Sequence, residues 1–288
     1  MRILMTGATG NVGRLVVDRL VRAGAEVRAL TRNPGRAAFA DGVEAVRGDL
    51  SRPDDLGSAL AGVDRMYLFP VPATAGKVVA RAVEAGVRRI VVLSSGAVSH
   101  GYDTDFHLPV EQAVEASGVE WTHVRPGEFM LNKLWLWGPS VRAERVVRDP
   151  NPDLPWYPVH EADIADVAAA ALLEDGHQGA AYDLNGPEAI SNRDQVAHIA
   201  AAIGADIRFE RVTPARAREL YLAQGGFAAE NADFLTGFAD YGGAEADPSA
   251  QENLDLTAFG PMPTCEPITC RPARAFAEWA GDHADDFR

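Results

Sequence analysis

Cysteine is nearly absent from this chain: Cys265 and Cys270 are the only two among 288 residues, and no histidine lies near them. This scarcity argues against a disulfide framework and against a zinc site of the usual ligand spacing, and it suits a reducing compartment. No stretch reaches the roughly 18 uncharged apolar residues that a membrane helix needs, and no apolar segment follows a basic N-terminus. We therefore expect a cytoplasmic protein with no membrane partner.

Basic residues are also few and are not concentrated in a stripe. The chain contains 27 lysines and arginines and 41 acidic residues, which gives a net charge of −14. Residues 221–288 hold 12 acidic and 3 basic side chains, net −9, so the first 220 residues account for −5. Because nucleic acids attract concentrated positive charge, this balance predicts no nucleic-acid partner and favours a small-molecule substrate. A homodimer is compatible with the sequence.

Short apolar runs alternate with amphipathic stretches over the first half of the chain. The runs predict strands at Ile3–Met5, Val27–Leu30, Val43–Val46, Met66–Phe69, Ile90–Leu93 and Trp121–Val124. Helical spacing lies between them, as in Val12, Val16 and Leu20. Repeated βαβ order with near-continuous apolar strands predicts an α/β fold, a doubly wound parallel sheet of Rossmann type.

After Arg125 the rhythm changes, because prolines interrupt the pattern. We expect a Rossmann core over residues 1–130 and a smaller, loop-rich mixed α/β lobe over 131–288, with about 159–190 returning to the core. Further helices are predicted at Asp163–Leu173 and Ser191–Ile203, and another after the N-cap Thr213. A last helix is predicted over 272–287, whereas the pattern of 225–262 gives no firm assignment.

A glycine-rich loop follows the first strand and opens the first helix. It contains Gly7, Thr9, Gly10, Asn11, Val12 and Gly13. In a strand, loop and helix of this order, Gly7 allows a tight turn, Gly10 lets N–H groups approach a diphosphate, and Gly13 lets the helix pack closely on the strand. A glycine turn without a ligand is the alternative. We expect dinucleotide binding here.

The end of the second strand decides which dinucleotide binds. An NAD enzyme usually places a carboxylate there, but this chain has Thr31 and Arg32, with Arg36 close behind. Arg32 could form charge-assisted hydrogen bonds to a 2′-phosphate, so the sequence favours NADP(H). A solvated surface arginine is the alternative interpretation.

Other strand ends supply further cofactor candidates, because ligands of open α/β sheets gather at the carboxyl edge. Asp49 and Leu50 follow the third strand, where the adenine could be reached. Phe69 and Pro70 follow the fourth and Ser94 the fifth, and Pro126, Gly127 and Phe129 follow the sixth near the expected nicotinamide. Phe129, Trp135, Trp137, Trp156 and Tyr157 could stack on a planar substrate, although packing in a core explains each of them equally well.

Together these residues resemble the NmrA-like family of atypical short-chain dehydrogenase/reductases. The resemblance covers about residues 1–212 and a tail at 271–287. The segments that carry it are the glycine loop with Asn11, Thr31-Arg32-Asn33, Gly48-Asp49, Ser94-Ser95, Glu111, the run 117–130 with Asn132, 160–165 and 185–188. It implies a Rossmann fold and NADP(H) binding. It also implies either reduction of small electrophiles such as quinones or regulation through cofactor sensing.

The chain departs from the wider superfamily at the catalytic dyad. A Tyr-x-x-x-Lys pair is absent: His107 stands where the lysine is often found, Asp103 lies four residues earlier, and Tyr102 would lie on another face of a helix. Hydride addition to a conjugated acceptor gives a delocalised oxyanion that needs less help from an acid. His107 is the proposed proton donor, unless it only contacts cofactor or solvent. Tyr102 and Ser95 are the other catalytic candidates.

The sequence thus predicts an NADP(H)-dependent reductase of a small conjugated electrophile, quinone-, imine- or enone-like, that works without the usual dyad. The alternative is a non-catalytic NADP-binding sensor acting through a protein partner. The remaining histidines, including His100, His123 and His160, show no metal-ligand spacing, and no metal is expected.

Overall fold

The computed structural model describes residues 1–249, 260 and 265–288. The strands are β1 Arg2–Met5, β2 Glu26–Thr31, β3 Glu44–Arg47, β4 Arg65–Leu68, β5 Arg89–Leu93, β6 Glu120–Pro126, β7 Val146–Asp149, β8 Pro155–Trp156, β9 Ala180–Leu184, β10 Ile190–Ser191 and β11 Arg208–Arg211. The α-helices are α1 Asn11–Arg22, α2 Gly57–Leu60, α3 Ala75–Glu84, α4 Gly96–Ser99, α5 Leu108–Glu115, α6 Asn132–Leu136, α7 Gly138–Glu144, α8 Glu161–Leu173, α9 Asn192–Ile203, α10 Pro214–Gln224, α11 Gly226–Glu230, α12 Ala232–Leu235, α13 Cys265–Thr269 and α14 Phe276–Asp282.

The chain divides into two units. The first consists of Met1–Gly127, Glu161–Leu184 and Thr264–Arg271, and the second of Glu128–His160, Asn185–Pro263 and Pro272–Arg288. The sequence prediction did not include the short segment around α13 in the first unit. No helix in the described ranges combines the length and the apolar character needed to cross a membrane.

The first unit is built on a seven-stranded parallel sheet in the order β3-β2-β1-β4-β5-β6-β9. Its central strands are apolar on both faces, and Ile3, Leu4 and Met5 of β1 are fully buried. The doubly wound Rossmann fold predicted from the alternating pattern is confirmed. Strand order reverses between β1 and β4, and the carboxyl ends of strands beside such a reversal are where ligands of this fold bind.

A buried arginine fastens α8 to the sheet. Arg89 opens β5 with its side chain 3% exposed, and it donates to the carbonyl oxygens of Ala171 and Glu174 at the end of α8. It also pairs with Glu120 and Asp175 at 2.8 Å each. These carbonyl groups have no partner further along the helix, so the guanidinium supplies hydrogen bonds that the helix end needs.

Arg89→Met should therefore lower the free energy of unfolding by about 2–3 kcal/mol, because it removes the buried donor of the carbonyl groups that end α8. Chemical denaturation measures the change. Arg88→Met is the matched control, since Arg88 is the neighbouring residue, is 76% exposed and pairs only with Asp64; it should cost less than about 1 kcal/mol. Equal losses for the two variants would contradict the capping role.

The second unit contains two small sheets and most of the later helices. β7 and β11 pair in parallel, and β8 and β10 pair antiparallel. Its core gathers large side chains from separate elements, among them Trp137, Tyr221, Phe276, Trp279 and Phe287. The predicted helices after Ser191 and Thr213 are present, and both residues accept N-capping hydrogen bonds.

The predicted helix over 272–287 is wrong in extent. Ala275 has extended backbone angles and serves as the N-cap, so α14 begins only at Phe276 and ends at Asp282, and a 3-10 turn covers Ala284–Phe287. The apolar spacing that suggested one helix is real, since Phe276 and Trp279 are fully buried. Part of the unassigned stretch 225–262 lies outside the described residues.

Candidate cofactor and active site

The glycine loop has the close packing that its spacing predicts. Gly7 adopts a left-handed φ of +61°, and the N–H of Gly10 donates to the Gly7 carbonyl oxygen at 2.9 Å. A Cβ atom at Gly13 would lie 2.1 Å from that same oxygen. The first turn of α1 therefore rests directly on the backbone of the loop, and only glycine fits at this point.

The N-terminus of α1 is suited to an anion. Its N-cap Gly10 offers no side-chain oxygen to the first N–H groups, the first turn holds no acidic residue, and the last turn carries Arg19 and Arg22. The unpaired N–H groups and the helix dipole thus present positive potential to a ligand at the loop. Thr9 is exposed and Asn11 half-buried beside this end. The residues present fit the diphosphate of a dinucleotide.

Thr6 ties this loop to the end of β4, a role the sequence did not reveal. Its buried hydroxyl donates to the Tyr67 carbonyl oxygen at 2.9 Å and accepts the N–H of Phe69 at 2.7 Å. The Phe69 side chain lies over Gly7, because a Cβ built on Gly7 would come 3.1 Å from the ring. Phe69 thus lies beside the glycine loop, with Pro70 buried next to it, and the contact of both residues with the cofactor stays a prediction.

Basic groups surround the end of β2. Arg32 and Arg36 are both exposed, and Thr31 accepts the N–H of Asn33 at 3.3 Å. Asp49 follows β3, and its pKa is lowered mainly by hydrogen bonds from the N–H and the hydroxyl of Ser51, with a smaller effect of the positive charges of Arg32 and Arg52. The Leu50 carbonyl oxygen accepts the Thr74 hydroxyl at 2.8 Å. Arg32 therefore lies exposed directly after β2, and its contact with a ribose substituent stays a prediction.

The end of β5 packs against the end of β6. The N–H of Ser94 donates to the Val124 carbonyl oxygen at 2.7 Å, and a Cβ at Gly96 would lie 3.5 Å from the Pro126 carbonyl oxygen. Ser95 accepts the N–H of Ala97 at 3.2 Å, so its hydroxyl caps α4. The N–H of Gly127 donates to Leu184 at 2.9 Å. The structure gives Ser95 a structural task, which weakens its candidacy as a catalytic group.

His107 is held by an acidic partner. Its Nδ1 lies 2.5 Å from Oδ2 of Asp103, whose carboxylate is 1% exposed. The segment before α5 is a bend, because the helix begins only at Leu108. The helical angle that separated Tyr102 from His107 therefore does not apply, and Tyr102 lies in a loop with 55% of its surface exposed.

A trio of potential metal ligands also lies near β6. Atoms of Glu111, Glu115 and His123 come within 4.8 Å of one another. Glu111, however, is bound at both oxygens by Arg125, at 2.9 and 2.5 Å, and burial lowers the pKa of His123. A guanidinium already neutralises the central carboxylate, so the trio is an ion-pair network and we derive no metal site from it.

The proposed aromatic stack falls in the second unit. Trp137 is 1% exposed and belongs to the core of that unit, so it is not available to a substrate there. Trp135 packs against Phe227 with ring centroids 5.1 Å apart. Phe129 bridges to Val159, and the ring of Tyr157 lies against Gly260.

The parallel sheet, the glycine loop on α1 and the arginine after β2 define a Rossmann protein that binds a nicotinamide dinucleotide. The model of a family described as NAD(P)H-binding matches residues 7–175. Over 99% of both chains, the protein is 40% identical to a (4-alkanoyl-5-oxo-2,5-dihydrofuran-3-yl)methyl phosphate reductase of Streptomyces griseus and 32% identical to an NAD(P)H azoreductase of Xenophilus azovorans.

The fold is shared with a solved enzyme as well. The triphenylmethane reductase of Citrobacter sp. complexed with NADP(H) matches with a TM-score of 0.79 and 20% identity, over 99% of this chain and 100% of that one. The chain belongs to the NAD(P)H-binding family, and the expected relationship to atypical short-chain dehydrogenase/reductases is confirmed. It is an NAD(P)H-dependent reductase, and its cofactor is a nicotinamide dinucleotide.

Proposed function

We propose that this enzyme uses NADPH to reduce the conjugated double bond of an enone-like substrate, such as an acyl-substituted unsaturated lactone that carries a phosphate ester. The observation that carries the proposal is the His107–Asp103 pair, in the stretch between α4 and α5 that follows β5. The 40% identity to the Streptomyces griseus reductase along the whole chain supports this substrate class.

The chemistry of such an acceptor suits a site without a Tyr-x-x-x-Lys dyad. In a 4-alkanoyl furanone the ring double bond is conjugated to two carbonyl groups, so hydride adds to the ring carbon that is β to both. The resulting negative charge spreads over two oxygens and needs only a modest acid to complete the reduction. Quinones likewise place the added charge on oxygen and delocalise it, whereas imines place it on nitrogen; both are the other acceptors that the sequence predicts.

Each part of the site then has a task. NADPH, when bound, supplies the hydride. The N–H groups at the start of α1 hold the diphosphate, and Arg32 holds the 2′-phosphate. We assign to His107 the delivery of a proton from Nε2 to the oxygen on which charge develops. Its side chain is 17% exposed, so a ligand can reach the ring.

His107→Gln should lower kcat for an enone acceptor by about 100-fold, since general acid catalysis typically contributes 10²–10⁴-fold, while the Kd for NADPH changes little. NADPH oxidation at 340 nm and a fluorescence titration measure the two quantities. His100→Gln is the control, because His100 lies exposed in the same loop.

Tyr102→Phe separates the two proton-donor candidates. If His107 is the donor, the Tyr102 hydroxyl takes no part in proton transfer. Its loss should then leave kcat within about threefold of the wild type. A large loss in Tyr102→Phe together with a normal His107→Gln would transfer the role to the tyrosine.

We also propose that the protein works in the cytoplasm, and we retain the homodimer as a prediction. Cys265 is buried and Cys270 is exposed, and the scarcity of cysteine is compatible with a reducing compartment. Analytical ultracentrifugation at micromolar concentration would test the dimer by giving either twice the chain mass or the chain mass itself.

A further inference from the structure

Asp103 connects the loop backbone to the imidazole of His107. Its Oδ1 accepts the N–H groups of Phe106 at 3.1 Å and His107 at 2.9 Å. Its Oδ2 is left for Nδ1 of His107, at 2.5 Å. Oδ1 alone is enough to order the bend before α5. Oδ2 binds a different group, the titratable ring of His107.

The charge state of Asp103 fixes the direction of that hydrogen bond. Burial raises the pKa of its carboxyl group, but the hydrogen bonds from the His107 ring and from the N–H groups of His107 and Phe106 outweigh burial and bring the pKa below its ordinary value. The ionised carboxylate can only accept. Nδ1 of His107 must therefore carry a hydrogen, which leaves Nε2 as the exchangeable nitrogen.

The surroundings of the ring keep this arrangement in place. Phe106 packs edge-on against the imidazole, with ring centroids 4.8 Å apart. Among the residues that the structure describes, no protein group forms a hydrogen bond with Nε2, so this nitrogen is available to a ligand. The ring is thus held at one nitrogen and presented at the other.

We propose that Asp103 is a positioning residue: it holds the Nδ1–H of His107, so that the protonated ring delivers the proton of the reduction from Nε2 and the neutral ring that remains keeps its hydrogen on Nδ1. This inference rests on the proposed function. It gives the carboxylate–imidazole pair, spaced i and i+4, the task of protonating the acceptor.

The reduction adds one hydride and one proton to the acceptor. Hydride from NADPH forms a C–H bond at the β carbon of the acceptor, and the π electrons move to the carbonyl oxygen. The Nε2–H bond breaks and its proton goes to that oxygen, so the acceptor gains two electrons and two hydrogens. NADP⁺ is the oxidised product, and the neutral imidazole keeps its Nδ1–H on Asp103 until water restores the proton at Nε2.

The first test is a ¹⁵N NMR measurement of the His107 ring, assigned by its loss in His107→Gln. At a pH where the ring is neutral, the wild type should show the proton on Nδ1. In Asp103→Asn the amide oxygen can still accept the backbone N–H groups, but the NH₂ group now faces Nδ1, so the proton should move to Nε2. Asp105→Asn is the matched control, because Asp105 is exposed in the same bend, and it should keep the wild-type tautomer.

The second test is kinetic. In Asp103→Asn, kcat for an enone should fall about 10- to 100-fold and the solvent deuterium isotope effect should rise, whereas the Kd for NADPH should stay within about twofold. An unchanged tautomer, or a loss confined to NADPH binding and thermal stability, would overturn the positioning role. If the wild type reduces no acceptor, the proposed function fails, but the NMR result still decides what Asp103 does.

Discussion

Gly13→Ala should abolish tight NADPH binding and destabilise the protein at the same time. The added Cβ atom would lie 2.1 Å from the carbonyl oxygen and 2.8 Å from the carbonyl carbon of Gly7. Both are backbone atoms, so the loop must move away from α1. Such overpacking typically costs about 1–3 kcal/mol of stability. Each hydrogen bond to the diphosphate that is lost should weaken NADPH binding by about 10- to 100-fold.

Gly76→Ala is the matched control for that variant. Gly76 lies in α3, and a Cβ atom there would meet nothing within 4 Å. Alanine should therefore be neutral or stabilising by about 0.5–1 kcal/mol, and NADPH binding should be unchanged. Calorimetric titration and thermal unfolding compare the pair. Normal NADPH affinity in Gly13→Ala would show that the cofactor does not depend on the geometry of this loop.

Arg32→Glu should separate the two nicotinamide cofactors. The arginine is exposed directly after β2, where the ribose substituent is expected, and the substitution replaces an attractive charge by a repulsive one. Charge-assisted hydrogen bonds to a phosphate are worth about 1.5–3 kcal/mol, so the Kd for NADPH should rise at least about 10- to 100-fold. NADH has no 2′-phosphate, and its Kd should change by less than about threefold.

Arg22→Glu makes the same change of charge at the opposite end of α1. Arg22 lies in the last turn of the helix and is exposed, so its replacement should alter neither cofactor's affinity beyond a small general effect of charge. Equal weakening of NADPH and NADH in Arg32→Glu would refute the assignment of this residue to the 2′-phosphate.

The cofactor half of the site could be anticipated from sequence because it depends on local backbone requirements. Glycines at 7, 10 and 13 mark a turn and a close helix contact whatever the rest of the chain does, and the parallel order of the strands then brings Phe69 to the same edge. The role of Thr6 was not predicted, because a threonine at the end of a strand has no distinctive spacing. Its hydrogen bonds also join residues that are 61 and 63 positions apart in the sequence.

The catalytic half depends on contacts that spacing alone represents poorly. The position of His107 in a motif identified it as a candidate. The role of Asp103 could be recognised only in the structure, because a helix in place of the bend would orient the Asp103 and His107 side chains differently. Trp137 shows the same limit in the second unit. A tryptophan in a proline-interrupted stretch suits a binding surface as well as a core, and only its packing beside Tyr221 and Val141 decides for the core.

The most direct test of the proposed reduction traces where the two hydrogens added to the acceptor come from. An acyl-substituted unsaturated lactone is reduced with NADPH deuterated at C4 of the nicotinamide, on each face in turn, in ordinary water, and the product is analysed by NMR. We predict one deuterium at the ring carbon β to the carbonyl groups, from one face only, and a solvent hydrogen at the adjacent carbon. NADPH binding without any transfer of deuterium to this or to a quinone or imine acceptor would contradict the enzymatic role and favour a cofactor sensor.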